Sequence, residues 1–177
     1  MDGTIRATKR QPPTGELIGE PKKIQGKKPL KEGLVEKPSD QELLNLIGRK
    51  LRRWKDSGFH IKKTRTPAEK KLRKKFAKDI ISVMAQLEDP NATVMGDTAL
   101  IRSASAFFYS GIAYLVEVRN ANVLHKDWGE RTAADRVRNS MAILRKSELG
   151  IARKVLDYLE EAEAAQQIAG ACKSNGE

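Results

Sequence analysis

The run Thr66 to Leu87, TPAEKKLRKKFAKDIISVMAQL, carries its own start, period and stop. Thr66 is suited to cap a helix, Pro67 fits the first helical position where its missing N–H costs nothing, and Glu69 completes a capping box. Leu72, Phe76, Ile80, Val83, Met84 and Leu87 then recur at helical spacing, so one face is expected to be core. Lys70, Lys71, Arg73, Lys74, Lys75 and Lys78 load the remaining faces, and Asp89-Pro90-Asn91 is the stop. An amphipathic helix of this kind needs partners for its apolar stripe.

Those partners are legible on both sides. Upstream, Ser39 and Glu42 form another capping box, followed by Leu43, Ile47, Leu51 and Trp54 at spacings of four, four and three. Arg49, Lys50, Arg52 and Arg53 flank this stripe, Asp56-Ser57-Gly58 ends it, and Trp54 is expected in the core. Downstream, Asp97 is expected to cap a third helix running to about Arg119, with Leu100, Ile101, Ala104, Phe107, Phe108, Leu115 and Val118 as a broad apolar surface. Asn120 to Glu130 reads as a polar connector containing His125, Asp127 and Trp128. Thr132 and Asp135 then open the longest helix, whose Val137, Met141, Leu144, Glu148, Ile151, Val155, Tyr158, Ala162 and Ala165 follow a heptad seam with Glu148 as its polar exception. Gly150 marks a place for a bend. Packing within the chain and self-association both satisfy such a seam.

No strand pattern or internal repeat interrupts this reading, so the fold class expected is all-α: a helical hairpin or bundle with a long, coiled-coil-like C-terminal helix. Residues 1–38 hold five of the seven prolines and five of the thirteen glycines with few large apolar side chains, which reads as a flexible basic arm. The expected organisation is that arm, a basic helical region over 39–90, a helical hairpin over 97–168 and a disordered tail over 169–177.

Charge separates these parts. The 177 residues carry a formal net charge of +11. Residues 1–38 contribute +4, residues 39–88 contribute +8 and residues 89–177 contribute −1. From Arg49 to Lys78 there are fourteen Lys/Arg against two acids. A basic surface this concentrated fits a polyanion, and nucleic acid is the partner expected. The residues placed at that contact are Arg49, Lys50, Arg52, Arg53, Lys62, Lys63, Arg65, Lys70, Lys71, Lys74, Lys75 and Lys78, acting on phosphates. Aromatic residues make up only 5% of the chain, so stacking on unpaired bases has little visible support.

Other classes find less in the residues. His60 and His125 are the only histidines and lie in no metal-ligand pattern, no phosphate-cradling glycine loop occurs, and Glu160, Glu161 and Glu163 read as a solvated face. No enzyme activity, cofactor or metal is expected. The longest apolar stretch, Ala99 to Val118, is interrupted by Arg102, serines and Glu117, so no membrane span is expected. The single cysteine, Cys172, and the absence of an apolar segment at the start point to an intracellular protein.

The second half also resembles a known family. AEKKLRKKFAKDIISVMAQLED (68–89), GDTALIRSASAFFYSGIAYLVEV (96–118) and ADRVRNSMAILRKSELGIARKVLDYL (134–159) are similar to the small terminase subunit of tailed bacteriophages. The matching punctuation is Asp97, Leu100 and Ile101 opening one helix, and Leu149, Gly150 and Ile151 late in another. The likeness covers roughly residues 67–160. Phe76 stands where many members have tryptophan, the proline usual before the last helix is missing, and Arg49 to Arg65 has no counterpart. The resemblance implies a non-catalytic, DNA-binding homo-oligomer, built as a ring, that recognises double-stranded viral DNA in the host cytoplasm. It would present that DNA to a large terminase subunit carrying ATPase and nuclease. Two long helices, 97–119 and 132–165, would form an antiparallel hairpin, with Leu100, Phe107, Phe108, Leu115, Val137, Met141, Leu144, Ile151 and Val155 as the oligomerisation surface. A viral RNA-binding nucleocapsid-like protein and a helical adaptor are the other readings that the residues leave open.

Overall fold

Three expected helix starts form as reciprocal capping boxes. Ser39 and Glu42 open α1 (Asp40–Asp56), Thr66 and Glu69 open α2 (Pro67–Met84), and Thr132 and Asp135 open α5 (Ala133–Met141). The computed structural model describes residues 37–61 and 66–174. Between α2 and α5 lie α3 (Ala99–Ser105) and α4 (Tyr109–Ala113), the latter running into a π-helical turn, Tyr114–Val118. The last helix, α6, spans Lys146–Ser174. Among the described residues there is no strand, only an isolated bridge between Val94 and Asp97, so the fold is all-α. No helix among them is long and apolar enough to cross a membrane.

The apolar stripes of α1 and α2 meet as their periodicity requires, except at Leu72, which was expected on the same face and is 56% exposed. Leu43, Leu44, Ile47, Leu51 and Trp54 are buried on α1, against Ile80, Val83 and Met84 of α2. Trp54 is the junction: its ring lies edge-on to Phe108 at 4.8 Å and to Phe59 at 5.5 Å, and parallel to Phe76 at 6.3 Å. One hydrophobic core includes these residues with Phe107, Ile112, Leu115, Val137, Val155 and Leu159, so the two expected helical regions share a core.

Helix α2 stops at Met84, before the Asp89-Pro90-Asn91 stop. Arg119 supplies the end: its guanidinium donates to the carbonyls of Met84, Ala85 and Leu87 at 3.1, 3.0 and 2.5 Å. The last carbonyls of a helix have no partner inside it, and a cation there also complements the helix dipole. From the other side, the Asp40 carboxylate accepts the N–H groups of Glu88 and Asp89 at 2.8 and 2.9 Å. The first residue of α1 therefore holds the exit from α2.

Both helices expected to be long are broken. Thr98, not Asp97, caps α3 by accepting the Ile101 N–H at 3.2 Å. The 97–119 run is interrupted at Phe107, whose φ is +51°. Successive residues of a helix point about 100° apart; the left-handed step lets Phe107 and Phe108 both enter the core, where they are 2% and 0% exposed. Ser103 and Ser105 return their hydroxyls to the carbonyls of Ala99 and Ile101 just before the break. The 132–165 run breaks at Ala142–Arg145 rather than at Gly150, which lies inside α6. There Glu148 turns back to accept the Arg145 N–H at 3.1 Å, while Ile143 points outward at 87% exposure.

Helix α6 is about 43 Å long at 1.5 Å per residue. It is fixed at three levels. Glu148 meets His60 at 3.2 Å, the Tyr158 hydroxyl donates to Glu117 at 2.8 Å, and Gln166 accepts the Val123 N–H and donates to the Ala121 carbonyl, both at 3.0 Å. Glu148 is thus the partner of a buried histidine, which explains the polar exception in the seam. His60 holds the Glu148 carboxyl below its ordinary value, with the Arg145 N–H adding to the effect. Burial, then the hydrogen bond to Glu117, pushes the Tyr158 phenol up. The helix continues through Ser174, beyond the point where a disordered tail was expected.

The expected oligomerisation surface is used inside the chain. Leu100, Phe107, Phe108, Leu115, Val137 and Val155 are buried, and Met141, Leu144 and Ile151 are half-buried against the same core. The reason is the pair of breaks: shorter helices fold back and consume the seam that two long helices would have displayed.

Truncating Trp54 to Ala is expected to cost about 3–5 kcal/mol. Its indole N–H is buried without a hydrogen-bond partner, so Trp54→Phe should cost much less. Urea unfolding of the three proteins checks the order.

Candidate nucleic-acid interface

Burial of the two stripes decides where the cations go. Arg49, Arg52 and Arg53 on α1, and Lys70, Lys71, Lys74, Lys75 and Lys78 on α2, are all exposed. None of these eight forms an ion pair with a carboxylate among the described residues. Lys50 differs, since its ammonium is paired with Asp79 and ties α1 to α2. Arg73 is half-buried, with its guanidinium 5.5 Å from the Trp54 ring centre. Lys62, Lys63 and Arg65 lie outside the described residues. The expected basic patch is therefore trimmed: Lys50 serves the fold, and the eight other described cations of the patch face solvent.

These cations border two depressions. One, of about 330 Å³, is lined by Lys70, Arg73, Lys74, Ala77, Ser110 and an edge of Trp54. The other, of about 690 Å³, lies between α1 and α3 and is lined by Arg49, Arg52 and Lys55 with Arg102 and Asp97. Arg102 and Lys55 were not among the residues singled out from sequence. Arg102 looked like an interruption of an apolar helix; in three dimensions its guanidinium is anchored by the carbonyls of Leu44 at 2.8 Å and Val94 at 3.1 Å. Gly48 makes room for it, because a Cβ there would stand 2.8 Å from the Arg102 Nη1. Lys55 reaches the Ser105 carbonyl at 3.4 Å and lies 5.5 Å from the centre of the Phe107 ring. The larger groove thus has a positive floor held by the backbone and a rim of exposed arginines.

The connector beside this groove is ordered by Asp127. Although it lies in the expected polar connector, this residue is only 4% exposed. Its Oδ1 accepts the N–H groups of Gly129 and Arg131 at 2.7 and 3.1 Å, and its Oδ2 meets the Arg136 guanidinium. Arg136 also reaches Asp97 at 3.0 Å, which joins the connector to the groove wall. Burial alone would push the Asp127 carboxyl up; the Arg131 N–H, the Arg136 side chain and the Gly129 N–H outweigh it and hold the carboxyl at about 2. Trp128, the next residue, is left 78% exposed.

Among the described residues, no three His, Cys, Asp or Glu side chains converge as metal ligands. The arrangement offers dense fixed positive charge. No protein-family model, curated protein or solved structure gives a significant match to this chain.

Asp127 sets a pH dependence. A carboxyl whose folded pKa is depressed contributes stability above its unfolded value, near 3.8, and loses it as pH falls toward about 2. Asp127→Asn should lower the midpoint of thermal unfolding at neutral pH and flatten its fall between those two values, as circular dichroism would record.

Proposed function

We propose that this chain is a non-catalytic nucleic-acid-binding protein that holds a phosphate backbone on the exposed faces of α1 and α2. The observation that carries this reading is the set of eight exposed arginines and lysines without carboxylate partners among the described residues. Like charges crowded on two neighbouring helices repel one another and destabilise the folded state. A polyanion relieves that repulsion and gains from releasing its own counterions. In the rest of the fold Arg136 pairs with Asp97 and Asp127, and Arg138 with Asp135 and Glu160, so those arginines are met by carboxylates while the eight are not.

The resemblance to small terminase subunits favours double-stranded viral DNA as the polyanion and a packaging ATPase and nuclease as the downstream partner. Assembly into a homo-oligomer belongs to the same proposal. With the heptad seam consumed inside the chain, that assembly would draw on exposed apolar positions such as Ile143 and Ile168. Repetition of the cationic face around an oligomer would multiply weak phosphate contacts by avidity.

Changing Lys70, Lys71, Lys74 and Lys75 together to Gln should weaken binding to a DNA duplex. It should also reduce the slope of log affinity against log salt by about three to four, since each duplex phosphate contact contributes about 0.9. Fluorescence anisotropy across a salt series gives both quantities. A folded variant with the affinity and slope of the parent protein would remove α2 from the interface.

A further inference from the structure

The connector and the turn before α3 create a feature that phosphate binding leaves unused. Val94 and Asp97 exchange backbone hydrogen bonds at 3.1 and 3.2 Å, closing a two-residue turn. Its central residues, Met95 and Gly96, have φ values of +55° and +78°. Such a primed turn favours Asn-Gly or Gly-Gly, and an L-side chain at its first central position is strained. Met95 occupies that position with its side chain 73% exposed, so packing offers no return for the strain. Gly96 serves a second purpose. A Cβ there would stand 2.5 Å from the Trp128 Cδ1 and 2.9 Å from its Nε1, so the five-membered ring of the indole rests against the Gly96 backbone. The rest of the side chain is open to solvent.

Trp128 presents an indole to solvent from a fixed loop, with an apolar body and a polar N–H that suit it to an interface. The loop is fixed by the Asp127 hydrogen bonds to Gly129, Arg131 and Arg136, and the turn by its own pair of bonds. Asp97, the residue after Gly96, lines the groove that Arg49, Arg52, Lys55 and Arg102 make positive. Its own charge is met by Arg136 at 3.0 Å. The Trp128 ring thus rests on the backbone one residue before Asp97, which lies in the wall of a cationic groove. Sequence-independent binding of single strands uses that combination, with cations following the backbone and aromatic rings taking the faces of the bases.

The geometry points to a site for an unpaired nucleotide: its base stacks on Trp128 beside Met95, and the adjoining phosphates enter the groove between α1 and α3. This inference rests on the proposed nucleic-acid function and names a second contact within it. The duplex lies on α2, and a single-stranded extension, such as a cut or frayed end, reaches Trp128. The thioether of Met95 is suited to the edge of the stacked base, since sulfur makes favourable contacts with aromatic rings.

The test uses the full chain with two fluorescein-labelled DNAs, a blunt duplex and the same duplex carrying a thymidine overhang. Both should bind by anisotropy, but the overhang should quench indole emission beyond any effect of the blunt duplex, because Trp54 is 4% exposed and Trp128, at 78%, is the accessible reporter. In Trp128→Phe the quench should vanish while most of the preference for the overhang persists. In Trp128→Ala that preference should fall by about tenfold, with blunt-duplex affinity unchanged. Overhang DNA that binds without changing the emission would overturn the inference and leave the phosphate reading intact. So would a Trp128→Ala variant with the parent's preference. A blue shift of Trp128 emission with rising protein concentration and no DNA would assign the patch to a second copy of the chain and overturn it as well. If neither DNA binds at all, the nucleic-acid reading falls and takes this site with it.

Discussion

The insertion of Trp54 between Phe59, Phe76 and Phe108 is the constraint on which the arrangement depends. An indole is too large to hide on one helix, so α1, the turn after it, α2 and the start of α4 must all close around it. Once they do, the rotation of α1 and α2 is set. Their apolar stripes face inward, and Arg49, Arg52, Arg53 and the α2 lysines have only the outside left. The positive surface is a consequence of core packing. Large aromatic groups bury more area than any other side chain, so the loss of this one ring would be felt in every helix that touches it.

The fold also sorts its basic residues by chemistry. Three of the arginines in the second half act within the fold: Arg102 on the carbonyls of Leu44 and Val94, Arg119 on the end of α2, and Arg136 on Asp97 and Asp127. A guanidinium offers several donors in a fixed plane, and that suits it to bind two or three acceptors at once. The lysines of α2 make no such bonds. Each is a flexible, strongly hydrated point charge, suited to a partner whose charges are spaced along a chain. These three arginines thus hold the helices together while the lysines of α2 remain available.

Much of this was legible in the residues, and the parts that were not have identifiable causes. The three capping boxes, the apolar stripes of α1 and α2, the inward placing of Trp54 and the all-α class followed from spacing alone, because each depends on residues within one or two turns. The breaks at Phe107 and at Ala142–Arg145 were hidden. Helical periodicity runs smoothly through both, and only the demand of the core for two adjacent phenylalanines, and the pairing of Glu148 with His60, interrupts it. The candidate surface divides the same way. Exposed lysines could be read from the faces opposite the stripes. Arg102 and Trp128 could not, because one depends on the absence of a Cβ at Gly48 and the other on the same absence at Gly96, far away along the chain.

Lysine-acetylation footprinting by mass spectrometry, with and without duplex DNA, tests most directly whether the surface left by core packing is the binding face. If it is, Lys70, Lys71, Lys74, Lys75 and Lys78 are strongly protected on DNA binding, with Lys126 and Lys146 modified as before. Protection spread evenly over all seven, or centred on Lys126 and Lys146, would contradict it.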